Sequence, residues 1–527
     1  MPISGHHFIA GTPSTEGHQT FTSVNPRTKT PGDVQFFNAT PSEIDRAVSA
    51  AVEAFKITRN YSASRLAEFL ERVAAEIEAL GDEWLNTADM ETGLGLTRLT
   101  GERARTTGQL RAFANLLREG SYVEAIIDTA TADRPDIRRM LFPIGPVAVF
   151  AASNFPFAFS VAGGDTASAF AAGCPVIVKA HPGHPATSEL AALAINRAIV
   201  ACGFPAGFFS LLQGDTIEVG QTLIQHPLLE AVGFTGSLRA GRAIFDTAAA
   251  RPKPIPVYAE MGSINPVVLL PGAILARMEA IAEGLVTSVT LGTGQFCTNP
   301  GLVLVIDNPE TQLFIELVES KMESRAPGVL LNASIERGLV KAVAETTRHA
   351  AVQTLTGATA TQAEGYCYPN TVLITHAQDF RADPTLQNEH FGPVTMFVIC
   401  ENETDLLETI PTLHGNLTAT IHAEESEMGA ARDVFDLLRE KAGRLILNGF
   451  PTGVAVVHSM QHGGPYPATT APATTSVGMT AIKRFLRPVA FQNLPDTLLP
   501  EALKNDNPLN IWRVVDNQQS NAPIVKS

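Results

Sequence analysis

Leu291-Gly292-Thr293-Gly294-Gln295-Phe296-Cys297-Thr298-Asn299-Pro300-Gly301 sets a single cysteine among three glycines and a proline. Gly292 and Gly294 let backbone approach a ligand closely. The spacing therefore predicts that Cys297 rides an irregular turn, not a helix face. The thiolate is the reactive form of cysteine, and backbone N–H groups around such a turn favour it. A lone cysteine more often serves as a small buried apolar residue. The surrounding Gly-Gln-Phe-Cys-Thr-Asn-Pro-Gly string shifts the reading toward a nucleophile.

At 527 residues the chain exceeds one ordinary core, so two or more domains are expected. Hydrophobic content of 45% with 17% charged residues describes a soluble globular protein. A net charge of −15 argues against a nucleic-acid-binding surface, while leaving room for a local basic pocket. Cys174, Cys202, Cys297, Cys367 and Cys400 form an odd, scattered set with neither disulfide nor metal-ligand spacing. No metal is expected, and a reducing cytoplasm is the simple inference. The first residues lack a signal-peptide pattern, and no stretch approaches ~20 apolar residues, so no membrane partner is expected.

Leu66, Phe69, Leu70, Val73, Ile77 and Leu80 recur at helical spacing, with Glu68, Glu71, Glu76 and Glu78 off the stripe. A second helix is predicted over about Gly101 to Arg118, where Arg105 and Gln109 share a face. Most such charges are solvated, but an arginine reaching a substrate tunnel would grip a carboxylate with its fork. Short β-rich runs follow at Val176–Lys179, Phe208–Leu212, Ala231–Thr235 and Val257–Glu260, separated by Ala-rich helical stretches. That alternation predicts a parallel sheet covered on both faces, a dinucleotide-binding outline. Gly-x-Gly-x-x-Gly is missing; Gly236-Ser237-Leu238-Arg239-Ala240-Gly241 stands at one strand-to-helix turn instead. A second alternating region begins near Asn265. The polar residues from Asp496 are expected to lie loosely on the surface.

Four further strings accompany the cysteine loop. They are Ser153-Asn154-Phe155-Pro156, Val178-Lys179, Ala259-Glu260-Met261-Gly262-Ser263-Ile264-Asn265-Pro266 and Asn388-Glu389-His390-Phe391-Gly392-Pro393. Together, in this order, they resemble the aldehyde dehydrogenase superfamily over roughly Asn25 to Gln492. The resemblance implies an α/β fold with a Rossmann-type cofactor domain (1–132 and 151–263) and an α/β catalytic domain (264–475). It also implies a small β oligomerisation arm (133–150 and 476–495), a C-terminal tail (496–527), and a homodimer or homotetramer. It makes Cys297 the nucleophile, Glu260 the general base and Asn154 an oxyanion donor, together with the backbone N–H of Cys297. Lys179, Gly236, Ser237, Glu389 and Phe391 become cofactor residues, with Ser237 at the pyrophosphate.

Members that prefer NAD often carry a glutamate three residues after the lysine. Here that position is Pro182, so nothing repels a 2′-phosphate, and Lys179, His181 and Arg239 offer charge or donors. NADP is the expected cofactor, with NAD possible. Ala162 to Ala169, Val178 to Pro185 and His462 to Thr470 further resemble the bacterial 2,5-dioxopentanoate dehydrogenase subgroup. The implied substrate is a small aldehyde, 2,5-dioxopentanoate; the alternative is a long-chain or aromatic aldehyde. Candidate substrate residues are Arg105, Phe157, Phe450 and His458, the last matching a histidine of that subgroup.

Overall fold

A computed structural model describes residues 3–359 and 364–525. Two seven-stranded sheets form its frame. In the first, five parallel strands run across the sheet as Val257–Glu260, Ala231–Thr235, Val147–Phe150, Val176–Lys179 and Phe209–Leu212. In chain order that is fifth, fourth, first, second, third: the doubly wound order with a reversal between first and fourth strands. His7–Ile9 and Thr12–Ser14 extend the edge antiparallel. The strand Val147–Phe150, expected inside the arm, is instead central to this sheet. Its run of small and β-branched residues has no polar face, as a strand buried on both sides requires.

Alternation along each strand feeds two cores. Val176 and Val178 pack under the helices Ala63–Glu78, Leu96–Glu119 and Pro185–Ala201, while Ile177 packs under Pro41–Thr58 and its neighbours. Each such fully buried side chain contributes roughly 1.5–3 kcal/mol. Surface pairs such as Arg118–Glu71 contribute at most ~1 kcal/mol. The sheets therefore hold the fold, and the charges decorate it.

The second sheet runs Gln353–Thr356, Thr371–His376, Val394–Cys400, Leu302–Ile306, Val267–Leu269, Asn416–His422 and Ala442–Leu447. All but the first are parallel. A third, five-stranded sheet pairs Leu486–Gln492 with Ile137–Pro143, Val489 opposite Met140. The tail does not lie loosely. Arg513–Val515 and Gln518–Ser520 extend this sheet, and Leu499, Leu503 and Ile511 fill its small core. Buried Arg138 ties the tail down, donating to the Leu503 carbonyl and the Asn505 side chain. Among the described residues no helix is long and apolar enough to cross a membrane.

Candidate active site

A cavity of about 450 Å³ opens where the first and fourth strands of the cofactor sheet diverge. Ala151 to Asn154 follow one strand; Gly236 and Ser237 follow the other. Such a reversal leaves a crevice beyond the strand ends, where ligands bind in open α/β sheets. Cys297, Glu260, Asn154, His181, Gly236, Ser237, Arg239, Glu389 and Phe391 all reach its wall.

The turn ahead of the sulfur is irregular, as its sequence predicts. Gly292, Thr293 and Gly294 are all left-handed, with φ of 56°, 59° and 67°. A non-glycine residue there costs on the order of 1–3 kcal/mol, held only by its surroundings. A Cβ on Gly294 would stand 2.1 Å from the Gly392 carbonyl oxygen, so the nucleophile loop and the Glu389 loop interlock there. Asn265, buried and left-handed at the end of the Glu260 string, donates to the Cys297 carbonyl (2.8 Å) and the Asn299 carbonyl (2.9 Å). Asn416 in turn accepts from the Ile264 and Asn265 backbone. Distant strings thus meet through amide side chains.

Glu260 ends its strand 2% exposed. Its carboxylate accepts from Ser476 Oγ (2.5 Å) and lies 3.1 Å from His462 Nε2. Burial pushes this carboxyl upward, but His462, Ser476 and the Cys297 thiol outweigh it and hold it below the usual range. His462 Nε2 also lies 3.5 Å from Cys297 Sγ. Burial, then the Glu260 charge, pushes the thiol well above its ordinary value. The resting pair is therefore thiol and carboxylate. A positive charge arriving in the cavity would draw the thiol back down.

His462 was not among the expected site residues; His458 was, and it is exposed. The signal was present, since His462 opens the His-Gly-Gly-Pro string. Its placement needs the fold: Met261 donates to the Ala468 carbonyl and Glu260 bridges Thr469, pinning the 462–470 loop beside the base. Two other expectations fail. Phe157 is fully buried and stacks on Trp84 at 3.6 Å between ring centroids, so it packs core. Phe450 packs against His422 and the Pro271–Thr290 helix at Gly284.

The aromatic wall near the sulfur is Phe155, Phe159 and Phe296. Phe155 meets Phe159 and Phe296 edge-on, each at 5.2 Å. Arg98 lies over Phe296 at 4.7 Å and Arg105 over Phe159 at 4.9 Å. Arg98, Glu102 and Arg105 share one face of the Leu96–Glu119 helix. Buried Glu102 accepts the Phe157 and Ala158 N–H groups and lies within electrostatic reach of both arginines. Arg98 Nη1 and Arg105 Nε are buried without a protein partner. Two guanidiniums against one carboxylate leave a cationic excess suited to an anion.

On the cofactor side, Ser237 caps the Leu238–Ala249 helix, its hydroxyl accepting from Ala240 N–H. Helix N-termini present N–H donors to phosphate. Arg239 is exposed on the cavity rim, without an ion-pair partner among the described residues. His181 is held neutral: burial pulls it well below its ordinary value, helped by His184 and Lys179, and Nδ1 accepts the Gly183 N–H. Lys179 donates to the Gly214 carbonyl and does not reach the cavity wall; burial draws its ammonium down to about 8. Glu389 accepts from Ser263 N–H, and burial pushes it up to about 7. A Cβ on Gly262 would come 2.4 Å from its Oε2, so only glycine leaves that carboxylate its place.

Residues 13–467 match the aldehyde dehydrogenase family model. The chain belongs to the aldehyde dehydrogenase family. It is 46% identical over 525 residues to alpha-ketoglutaric semialdehyde dehydrogenase 2 of Azospirillum brasilense, covering 98% of this chain and 100% of that one. It is 43% identical to the alpha-ketoglutaric semialdehyde dehydrogenase of Acinetobacter baylyi, covering 97% and 98%. Its fold superposes on 1-pyrroline-5-carboxylate dehydrogenase of Thermus thermophilus (TM-score 0.80, 22% identity, 93% and 92% covered). Betaine aldehyde dehydrogenase of Staphylococcus aureus gives 0.81 at 19% identity, with 93% and 95% covered.

In an aldehyde dehydrogenase with this wall, each residue has work to do. The thiol, hydrogen-bonded to the Glu260 carboxylate, would give it its proton, and the sulfur would add to the aldehyde carbon. The developing alkoxide needs donors, and Asn154 Nδ2, which donates to the Gln295 carbonyl at 3.0 Å, still carries a second hydrogen. A nicotinamide cofactor, when bound, would supply the hydride-accepting chemistry, and Cys297 would be left carrying the acyl group as a thioester. Once that first proton has passed to solvent, Glu260 would draw a second from the water that attacks the thioester, and the Cys297 thiolate would leave.

Proposed function

We propose that this aldehyde dehydrogenase oxidises 2,5-dioxopentanoate to 2-oxoglutarate with NADP: aldehyde, NADP⁺ and water give carboxylate, NADPH and two protons. The observation that carries the substrate reading is Arg105, within electrostatic reach of Cys297, with Arg98 on the same helix face over Phe296, each half-buried guanidinium keeping one buried nitrogen without a protein partner. An aldehyde bearing a carboxylate at its far end satisfies them; a plain alkyl chain leaves them unpaired. The names of the Azospirillum and Acinetobacter relatives support the same reading. NADP is favoured by Arg239 and by Pro182, where an acid would repel a 2′-phosphate. Neutral His181 adds a donor or acceptor, not a charge.

The aromatic wall of Phe155, Phe159 and Phe296 favours a second reading, a long-chain or aromatic aldehyde. Steady-state rates on 2,5-dioxopentanoate and on a long alkyl aldehyde, each with NADP and NAD, decide between them. A higher kcat/KM for the alkyl aldehyde overturns the first reading, and a strong NAD preference overturns the cofactor assignment. The Leu486–Gln492 edge of the arm is the surface on which we place assembly into a homodimer or homotetramer in the cytoplasm. Light scattering reads the stoichiometry.

A further inference from the structure

We propose that Cys297, His462 and Glu260 form a binding site for a borderline divalent cation, zinc above all, whose occupancy reversibly switches the enzyme off. The Cys297 Sγ, a His462 ring nitrogen and a Glu260 carboxylate oxygen all lie within 4.8 Å of one another. Sγ to Nε2 is 3.5 Å and Nε2 to Oε1 is 3.1 Å. Tetrahedral zinc takes sulfur at about 2.3 Å and nitrogen or oxygen at about 2.0–2.2 Å. Those lengths set donor atoms roughly 3.4–3.6 Å apart, so two sides of the triangle already stand near their bound values. The third side, sulfur to carboxylate oxygen, lies within 4.8 Å.

The three ligands come from a strand end and two loops, each fixed independently. Glu260 is braced by Ser476, and the Cys297 carbonyl by Asn265. His462 N–H donates to Thr475 Oγ1 and its carbonyl accepts the Ser476 N–H. Glu260 and Cys297 face the large cavity, while Glu260 and His462 also line a small one behind it. An ion entering from the cavity meets sulfur and oxygen first and the ring nitrogen behind them. Its fourth position then faces the cavity, where water or the aldehyde oxygen would stand.

Binding converts thiol plus M²⁺ into a metal thiolate and releases one proton; no electron moves. Thiolate and carboxylate together cancel the ion's two charges. Arg105 and Arg444, the cations that act on Cys297, therefore face a neutral cluster and not a bare dication. A mixed sulfur, nitrogen and oxygen set suits zinc or cobalt(II) and disfavours magnesium and calcium. Inhibition follows because the coordinated sulfur is the nucleophile.

The test titrates cobalt(II) into the purified full-length chain in a non-chelating buffer. One ion per chain with a thiolate-to-cobalt charge-transfer band is expected, displaced by zinc. The band disappears in Cys297→Ser, and the affinity falls at least about tenfold in His462→Asn. His458→Asn serves as the exposed control and binds like wild type. Zinc inhibition competes with aldehyde, tracks the same affinity, and is reversed by EDTA. Melting curves establish that each variant is folded, and Cys297→Ser, nearly isosteric, covers a failure of His462→Asn. A band that survives in Cys297→Ser, unchanged affinity in folded His462→Asn, or no band in wild type overturns the proposal.

Discussion

At the sulfur end of the cleft, Cys297, Glu260 and His462 stand within hydrogen-bonding reach of one another, and Asn265, Asn299 and Gln295 fasten the loop beneath them. At the phosphate end, Gly236 to Ala240 are exposed, and two capped helix termini, at Ser237 and Asn332, face the cavity with one free arginine. The contrast follows from what each end must do. Bond-making at carbon needs reacting groups held within about 0.5 Å. A phosphate is satisfied by N–H donors and one charge over a wider range of positions. The first end should therefore fail steeply on substitution, and the second gradually.

The steepest loss is expected for Cys297→Ala, which should lower NADPH formation by ~10³-fold or more while leaving the melting temperature near wild type. Retained activity would remove the sulfur from the chemistry. Glu260→Gln should be nearly as damaging in the steady state, about 10²–10⁴-fold, but in a different phase. If Glu260 serves mainly thioester hydrolysis, stopped-flow absorbance will show a burst of about one NADPH per site before turnover stalls. Loss of the burst as well would make Glu260 equally the base for the thiol.

Short contiguous strings carried most of what was legible. Cys297, Asn154, Glu260, Ser237 and Glu389 each sit in a run whose glycines and prolines already demand a particular turn, and the cavity gathers them all. His462 was hidden because a histidine's partners lie across the fold, through the Glu260–Thr469 bridge and not in its own neighbourhood. Phe157 and Phe450 misled because an aromatic side chain has the same sequence signature in a tunnel and in a core. The ordered tail escaped notice for a related reason. Leu499, Leu503 and Ile511 show no period until Arg138 and the arm sheet give them something to pack on.

Arg105 tests where the steep end stops. Arg105→Leu should cost 2,5-dioxopentanoate about 10–100-fold in kcat/KM, the worth of a charge-assisted hydrogen bond. A neutral aldehyde of similar length should lose almost nothing; equal losses on both would make the arginine structural. Across the cleft, Arg239→Ala should raise the KM for NADP about tenfold and leave that for NAD nearly unchanged. An equal rise for both would move the 2′-phosphate away from Arg239.

The smallest effect lies between the two ends, at Glu389. Its carboxyl is raised to about 7 by burial, so it is largely protonated in the free enzyme below that pH and ionised above it. A carboxylate accepts two ribose hydroxyl bonds better than a carboxylic acid does. The KM for NADP should therefore fall a few-fold as pH rises through 7, and Glu389→Gln should flatten the profile. Stability runs the other way. A carboxyl whose folded value exceeds its unfolded one binds an extra proton when folded, so stability falls as pH rises from about 4.5 to about 7 and levels off above. At pH 8, Glu389→Gln should thus melt higher than wild type while binding NADP less tightly. A variant that lost both would place Glu389 with the rigid sulfur end; one that traded stability against affinity would place it with the adaptable phosphate end.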